Sequence, residues 1–465
     1  MKTGRRIQIN SASEDLTKYY IDFTNDELTV DLMAKAKQCV LDYLGCAIGG
    51  VNLESSEMIR RCFSHRKVPP ESTVILHGKA PCEIAAFINS AASHGLEMDD
   101  LNYGAGGHPA VAIMPAAFAV AEKQDKDGNS LLKAIIAGYD LMYRIGQAAN
   151  PDSQFERGLH PTSINGIFGA ALAAALLMDL NRTQIASAIG IAGSFTSGNL
   201  ECYADGSLTK RINPAVASQG GILSAMLARE GFTGPKWVFE GRSGFLVSYS
   251  DDADSSRLTE NLDYSHFGIM RTGFKPYANC RYNHSPIYAA LKLREKYAID
   301  YREIEEVTVK VIGMAVRGVC EPKDVKYNPK NIVDAQFSLP YSIAVALIDG
   351  QAFIEQYTEE KLHDPEIRAL MARVKMEHST ELDKLLPKAF PAEVIVRLRG
   401  GKELFGRVDY CKGDPEEPMT DEELEEKFSS LARFSINDEK RIGGIIEAVK
   451  KMDQYKASEL ISLLA

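Results

Sequence analysis

Between His160 and Asp179 the chain reads PTSINGIFGAALAAALLM, with no charged residue. That stretch has the length of a helix, and Gly166, Gly169, Ala170, Ala171, Ala173 and Ala174 let neighbouring helices come close. A helix with no polar face has to be covered on every side, so the chain must build layers of helices around it. It is too short to span a bilayer, and Asp179 and Arg182 close it off. Apolar periodicity predicts further helices at 28–48, 56–63, 82–98, 109–124, 129–148, 183–198 and 214–229. A short β-like run and a turn interrupt them at STVILHGKAP. Residues 28 to about 265 therefore read as all-helical, and the polar residues 1–27 read as partly loose.

The texture then changes. EIEEVTVKVIG (303–313) alternates as a half-buried strand does, and 392–410 reads as a hairpin turning at Arg399-Gly400-Gly401-Lys402. Helices at 284–297, 334–349 and 365–373 accompany them. The expected fold is mostly α: a large all-helical domain over 1–268 and a smaller α+β lid domain over 269–414. A helical tail over 415–465 is free to pack back on the first domain.

The 465 residues, 45% hydrophobic and 25% charged, suit a folded soluble protein of two or three domains. No signal-like start and no uninterrupted spanning stretch appear, which makes the cytoplasm the default location. A net charge of −10 argues against nucleic acid and acidic membranes as partners. Eight scattered cysteines without a CxxC pair, and nine histidines without HExxH, support neither a disulfide framework nor a metal site.

Chemistry-bearing residues concentrate in a few places. HGLEMDDLNYGAGGHP (94–109) sets His94, His108, Glu97, Asp99 and Asp100 in a glycine-bent loop between two apolar helices. His160 and His108 each stand directly before a proline that opens a buried helix, which places both rings at helix mouths. Lys210 precedes another helix, and FKPYANCRYNH collects Lys275, Cys280, Arg281, Tyr282 and His284. Helix N-termini and these cations favour carboxylates, arginine by a two-pronged grip and lysine as a point charge. No phosphate loop, dinucleotide fingerprint or GxSxG occurs. Acids, imidazoles and cations without a cofactor motif fit proton transfer at a carbon next to a carboxylate.

LDYLGCAIGG, HGLEMDD…GGHPA, GLHPTSINGIFGAALAAALL, TKRINPAVASQGGILSAMLAREGFTG and FKPYANCRYNH, taken in order over about residues 15–455, resemble the MmgE/PrpD family. That family contains 2-methylcitrate dehydratases, cis-aconitate decarboxylases and iminodisuccinate epimerases. The resemblance implies a homodimer, and cofactor-free chemistry on a di- or tricarboxylate between the two domains. It places the family's site residues on Asp99, Asp100, His108, His160, Lys210 and Lys275. It also shows two departures from the decarboxylase pattern. Cys280 stands where KRFPAH ends in a catalytic histidine, and Glu97 and Leu101 replace an aspartate and a threonine. Both argue against decarboxylation of cis-aconitate. Dehydration of a hydroxy di- or tricarboxylate, as by a 2-methylcitrate dehydratase, is the leading expectation; epimerisation or isomerisation of a dicarboxylate such as iminodisuccinate, or decarboxylation of the cis-aconitate type, is the alternative. The expected acid–base groups are His108 and His160, one oriented by Asp99 or Asp100, with Cys280 or Tyr282 as a lid-side proton source. His94, Lys210, Lys275, Arg281 and His284 are expected to bind substrate. A carboxylate-binding dimer without turnover is the remote alternative.

Overall fold

The computed structural model describes residues 11–64, 69–386 and 388–465. The longer helices are α1 (Ala12–Asn25), α2 (Val30–Gly50), α3 (Glu54–Phe63), α4 (Cys82–Ser93), α5 (Pro109–Lys123), α6 (Gly128–Ala149), α7 (Pro161–Leu177), α8 (Arg182–Ala192), α9 (Thr209–Arg229), α10 (His284–Tyr297), α11 (Leu339–Asp349), α12 (Asp421–Ala432) and α13 (Glu439–Lys450). The strands are β1 (Ser72–Thr73), β2 (Lys79–Ala80), β3 (Ile304–Val311), β4 (Val374–His378), β5 (Ala392–Leu398) and β6 (Glu403–Val408). The protein is a mostly α, two-domain fold.

The charge-free helix α7 is the axis of the first core. All but one of its residues are buried, and α5, α6, α8 and α9 pack around it. Small residues permit this crowding: a Cβ on Gly169 would lie 2.5 Å from the carbonyl oxygen of Gly138 in α6. Of the expected loose start over 1–27, residues 1–10 lie outside the described residues, and residues 11–25 depart from it. Ser11 and Glu14 form a capping box, and Leu16, Tyr19, Tyr20 and Phe23 put an apolar stripe of α1 into the core. Residues 28–265 are not wholly helical either. β1 pairs with β2, and 230–268 is mainly turns with a short α-helix, Phe245–Tyr249, and a 3-10 helix, Ser255–Thr259. The helix expected over 82–98 stops at Ser93, and the one over 183–198 at Ala192.

The second core surrounds a four-stranded sheet in the order β4-β3-β5-β6. β3 pairs antiparallel with β5, Val307 opposite Val396 and Val309 opposite Val394, and these valines form the buried face against α10. The hairpin β5–β6 turns through Gly400 and Gly401, both with positive φ. β4 runs parallel to β3 on the outer edge and was not expected. Only its first residue is buried, so VKMEH lacks the alternation that would reveal a strand.

After the sheet the chain returns to the first core. α12 lies along α2, and Leu424, Phe428, Ile442 and Ile445 join the same apolar cluster as α2. Among the described residues, no helix is long and apolar enough to cross a membrane.

Candidate active site

The loop that leaves α4 passes between the two cores and is tied on both sides. Leu101 and Gly273 exchange backbone hydrogen bonds of 3.0 and 2.8 Å, and Asn102 Nδ2 donates to Gly268 O and Thr272 Oγ1. These ties bring the strand-like run into Lys275 alongside Glu97 and Asp99. On the other side, Gln336 Nε2 donates to Leu96 O and Ala278 O, and Cys280 N–H donates to Gln336 O. Below the loop, Lys427 of α12 donates to Met98 O at 2.6 Å and pairs with Asp42 of α2 at 2.5 Å. Glu97 itself has φ of +56°, the left-handed region that costs a non-glycine residue of order 1–3 kcal/mol. The surrounding bonds hold it there.

A cavity of about 260 Å³ opens against this loop. Its polar wall includes Glu97, His108, His160, Lys210, Lys275, Cys280, Arg281 and Tyr282, from both cores. The expected residues Asp99, Asp100, His94 and His284 do not line it. Asp99 lies one layer behind, accepting from His94 Nδ1–H at 2.7 Å, 3.3 Å from His108 Nδ1 and 3.5 Å from Lys275 Nζ. Asp100 faces the first core, where its carboxyl accepts from Tyr139 O–H and Ala110 N–H. His284 is buried in the second core with Nε2–H toward Asn279 O.

The two lysines expected to grip substrate are already engaged. Lys210 Nζ donates to Glu97 Oε1, and Lys275 Nζ lies 3.3 Å from Glu97 Oε2. Burial pushes the Glu97 carboxyl up, but Lys210 and Lys275 overcome it and hold the group well below the usual carboxylate range. Asp99 follows the same balance: burial raises it, and His108, Lys275 and His94 bring it far down. Burial opposes the charge of Lys275, and Asp99 and Glu97 raise it above its ordinary value. Asp100 goes the other way, pushed well up by burial and by the carboxylates of Asp42 and Asp99. Arg281 is gripped by both oxygens of Asp414, at 2.6 and 2.7 Å, yet its buried Nη1 has no hydrogen-bond partner. Cys280 and Tyr282 are kept protonated, burial raising both.

The helix mouths fix the two cavity histidines in opposite tautomers. His108 and His160 are the N-cap residues of α5 and α7, and neither ring caps its helix. His108 Nδ1–H donates to Asp100 O at 2.5 Å, which leaves Nε2 as a lone pair. Asn213 Nδ2–H, also held by Asn199 O, donates to His160 Nδ1 at 3.2 Å, so Nε2 carries the hydrogen of His160. His94 sits between them, its ring 5.3 Å from His108 and 5.8 Å from His160. Burial keeps the rings neutral: it lowers His108 to about 3 and drives His160 and His94 down as well.

Sequence reasoning named most of the polar wall but not its internal partners. Asp414, Asn213, Gln336 and Lys427 are each more than fifty residues in sequence from the group they serve, and no local pattern marks them. Glu97 was legible only as one acid among several. Among the described residues no group of His, Cys, Asp and Glu is placed to hold a metal ion.

Comparison with known proteins places both parts of the chain in one family. Residues 14–258 match the MmgE/PrpD N-terminal domain and residues 277–451 the MmgE/PrpD C-terminal domain. The chain belongs to the MmgE/PrpD family. It is 26% identical to the cis-aconitate decarboxylase-like protein oryM of Aspergillus oryzae, over 98% of this chain and 97% of that protein. It is 26% identical to a cis-aconitate decarboxylase of Aspergillus terreus (96% and 94% covered) and 25% identical to that of Homo sapiens (94% and 91%). This MmgE/PrpD member is an enzyme of lyase type.

The buried imidazoles also set an acid limit on its stability. His108 takes up a proton near 6.5 when unfolded but only near 3 when folded. Its contribution is therefore complete above pH 6.5 and is lost as the pH falls toward 3; His94, His160 and His284 act in the same direction. Urea unfolding should give a stability that is flat near pH 7.5 and falls by roughly 1.4 kcal/mol or more per pH unit below about 6. Equal stability at pH 7.5 and pH 5 would contradict burial of neutral rings.

Proposed function

We propose that this enzyme is a cofactor-independent dehydratase of a small hydroxy-carboxylate, and that His108 is its base. The opposite tautomers of His108 and His160 carry the reading. A lone pair on one ring and an N–H on the other, facing one cavity, suit removal of a proton beside a carboxylate while the resulting enolate is held. His108 Nε2 takes the proton from the carbon next to the carboxylate. His160 Nε2–H, with the unpartnered Nη1 of Arg281 and the free N–H groups of the lysines, holds the oxygen on which charge builds. The C–O bond to the neighbouring hydroxyl then breaks, the electron pair forms the C=C bond, and the proton on His108 leaves with the hydroxide as water. His160 acts as a donor and keeps its hydrogen, since a neutral imidazole gives it up only at a cost far above that of His108.

The similarity to proteins named cis-aconitate decarboxylase makes loss of carbon dioxide the second reading. Proton NMR in deuterated buffer with citrate, 2-methylcitrate, cis-aconitate, malate and alkyl- or benzyl-substituted malates separates the two. A new vinyl signal from a hydroxy acid, with water released, is the expected result. Carbon dioxide from cis-aconitate would favour decarboxylation, and deuterium exchange without net conversion would make the enzyme an isomerase instead.

A further inference from the structure

The cavity is not the wall that a compact, highly charged molecule would call for. Apart from Asp152, Thr162 and Arg317, most of its remaining lining is apolar: Phe155, Leu200, Tyr203, Met314, Phe337 and Phe390 all face the space. Several of them are fixed by ring contacts, Phe390 stacked 4.1 Å from Tyr103 and Phe337 4.8 Å from Tyr203. Phe155 shares the short helix Pro151–Glu156 with exposed Asp152, and Met314 lies one turn from exposed Arg317; all four border the cavity. The apolar side chains therefore line the way from these outer charges to the buried Lys210–Glu97–Lys275 cluster.

The charges of the wall point the same way. Lys210 and Lys275 are matched by Glu97 and Asp99, and Arg281 is matched by Asp414. Three carboxylates brought into this space would bury an excess of negative charge, and the one further cation of the lining, Arg317, stands exposed at its outer end rather than beside the buried cluster. One carboxylate has a ready donor in the buried, unpartnered Nη1 of Arg281, and the unused N–H groups of the lysines can take a second.

We propose that the substrate of this enzyme is an amphiphile, a mono- or dicarboxylate bearing an alkyl or aromatic substituent, and not a compact tricarboxylate. The carboxylate end meets the buried cluster, and the substituent lies along Phe155, Leu200, Met314 and Phe390. This inference rests on the reading of the cavity as a carboxylate site and narrows it.

Binding of unreactive probes tests it without requiring turnover. Isothermal titration with succinate, 2-benzylsuccinate and tricarballylate should rank benzylsuccinate at least about tenfold tighter than succinate, with tricarballylate no tighter than succinate. Phe155→Ser, in a short surface helix, should cut the benzylsuccinate affinity severalfold and leave that of succinate unchanged. Tricarballylate as the tightest ligand would overturn the inference, and so would a benzyl group that adds less than threefold. In either case the carboxylate-lyase reading would stand. Binding of none of the three would remove both.

Discussion

His108→Asn should lower kcat by about 10²–10⁴-fold on whichever hydroxy acid the enzyme turns over, with little change in folding. The substitution is chosen for its shape. Asparagine can present an N–H where His108 Nδ1 donates to Asp100 O, so the loop keeps its anchor. What disappears is the Nε2 lone pair, the only feature of the ring that removal of a proton requires. His160→Gln is the companion: its side-chain amide can still donate where Nε2–H did, so its loss should be smaller, within about tenfold to a hundredfold. The two variants separate a base from an oxyanion donor. Steady-state rates, with circular dichroism to show that both fold, are the measurement. A His108→Asn enzyme within threefold of the parent would sink the assignment. The rate should also show no acid limb near pH 6.5, because the His108 ring stays neutral down to about 3.

Lys427→Met should destabilise the protein by about 3–5 kcal/mol, the largest effect expected from a residue outside the cavity. It removes the cation that pairs with Asp42 and the donor to Met98 O, both in a region closed to water. Asp42 would be left buried with neither oxygen bonded, since its Oδ2 already lacks a partner. Burial raises the Asp42 carboxyl and Lys427 opposes that rise; without the lysine the group should bind a proton more readily. Adding Asp42→Asn to Lys427→Met should restore much of the loss, because an amide carries no charge to strand. Denaturant unfolding of the two single variants and the double completes the cycle. A loss below 1 kcal/mol for Lys427→Met would show that water reaches the pair.

The helices of the first core were plain in the sequence because α5 and α7 lack charge over most of their length, and a buried helix has few other forms. The His-Pro mouths were plain for a local reason as well: proline fixes the helix start, and the residue before it cannot be helical. α1 was missed although Ser11-x-x-Glu14 is a capping box and Leu16, Tyr19, Tyr20 and Phe23 keep helical spacing. Its low apolar content hid a signal that was present. β4 offered none, being an edge strand with one buried residue. In the site, most of the polar side chains that touch the cavity were legible; its apolar lining, such as Phe155 and Phe390, and the direction of the charges were not. That Lys210 and Lys275 hold Glu97, or that Asp414 holds Arg281, depends on contacts between segments 113 to 178 residues apart.

The return of α12 and α13 to α2 also bears on how the molecule can be recombined. The matched N-terminal domain ends at residue 258, yet the layer that covers α2 comes from beyond residue 420. A single crossover between this chain and a relative, placed at the domain junction, would exchange the second wall of the cavity. It would also exchange the helices that seal the first core and the lysine under the site loop. Chimeras that leave α2 and its cover from one parent need two crossovers, one before the sheet and one after it.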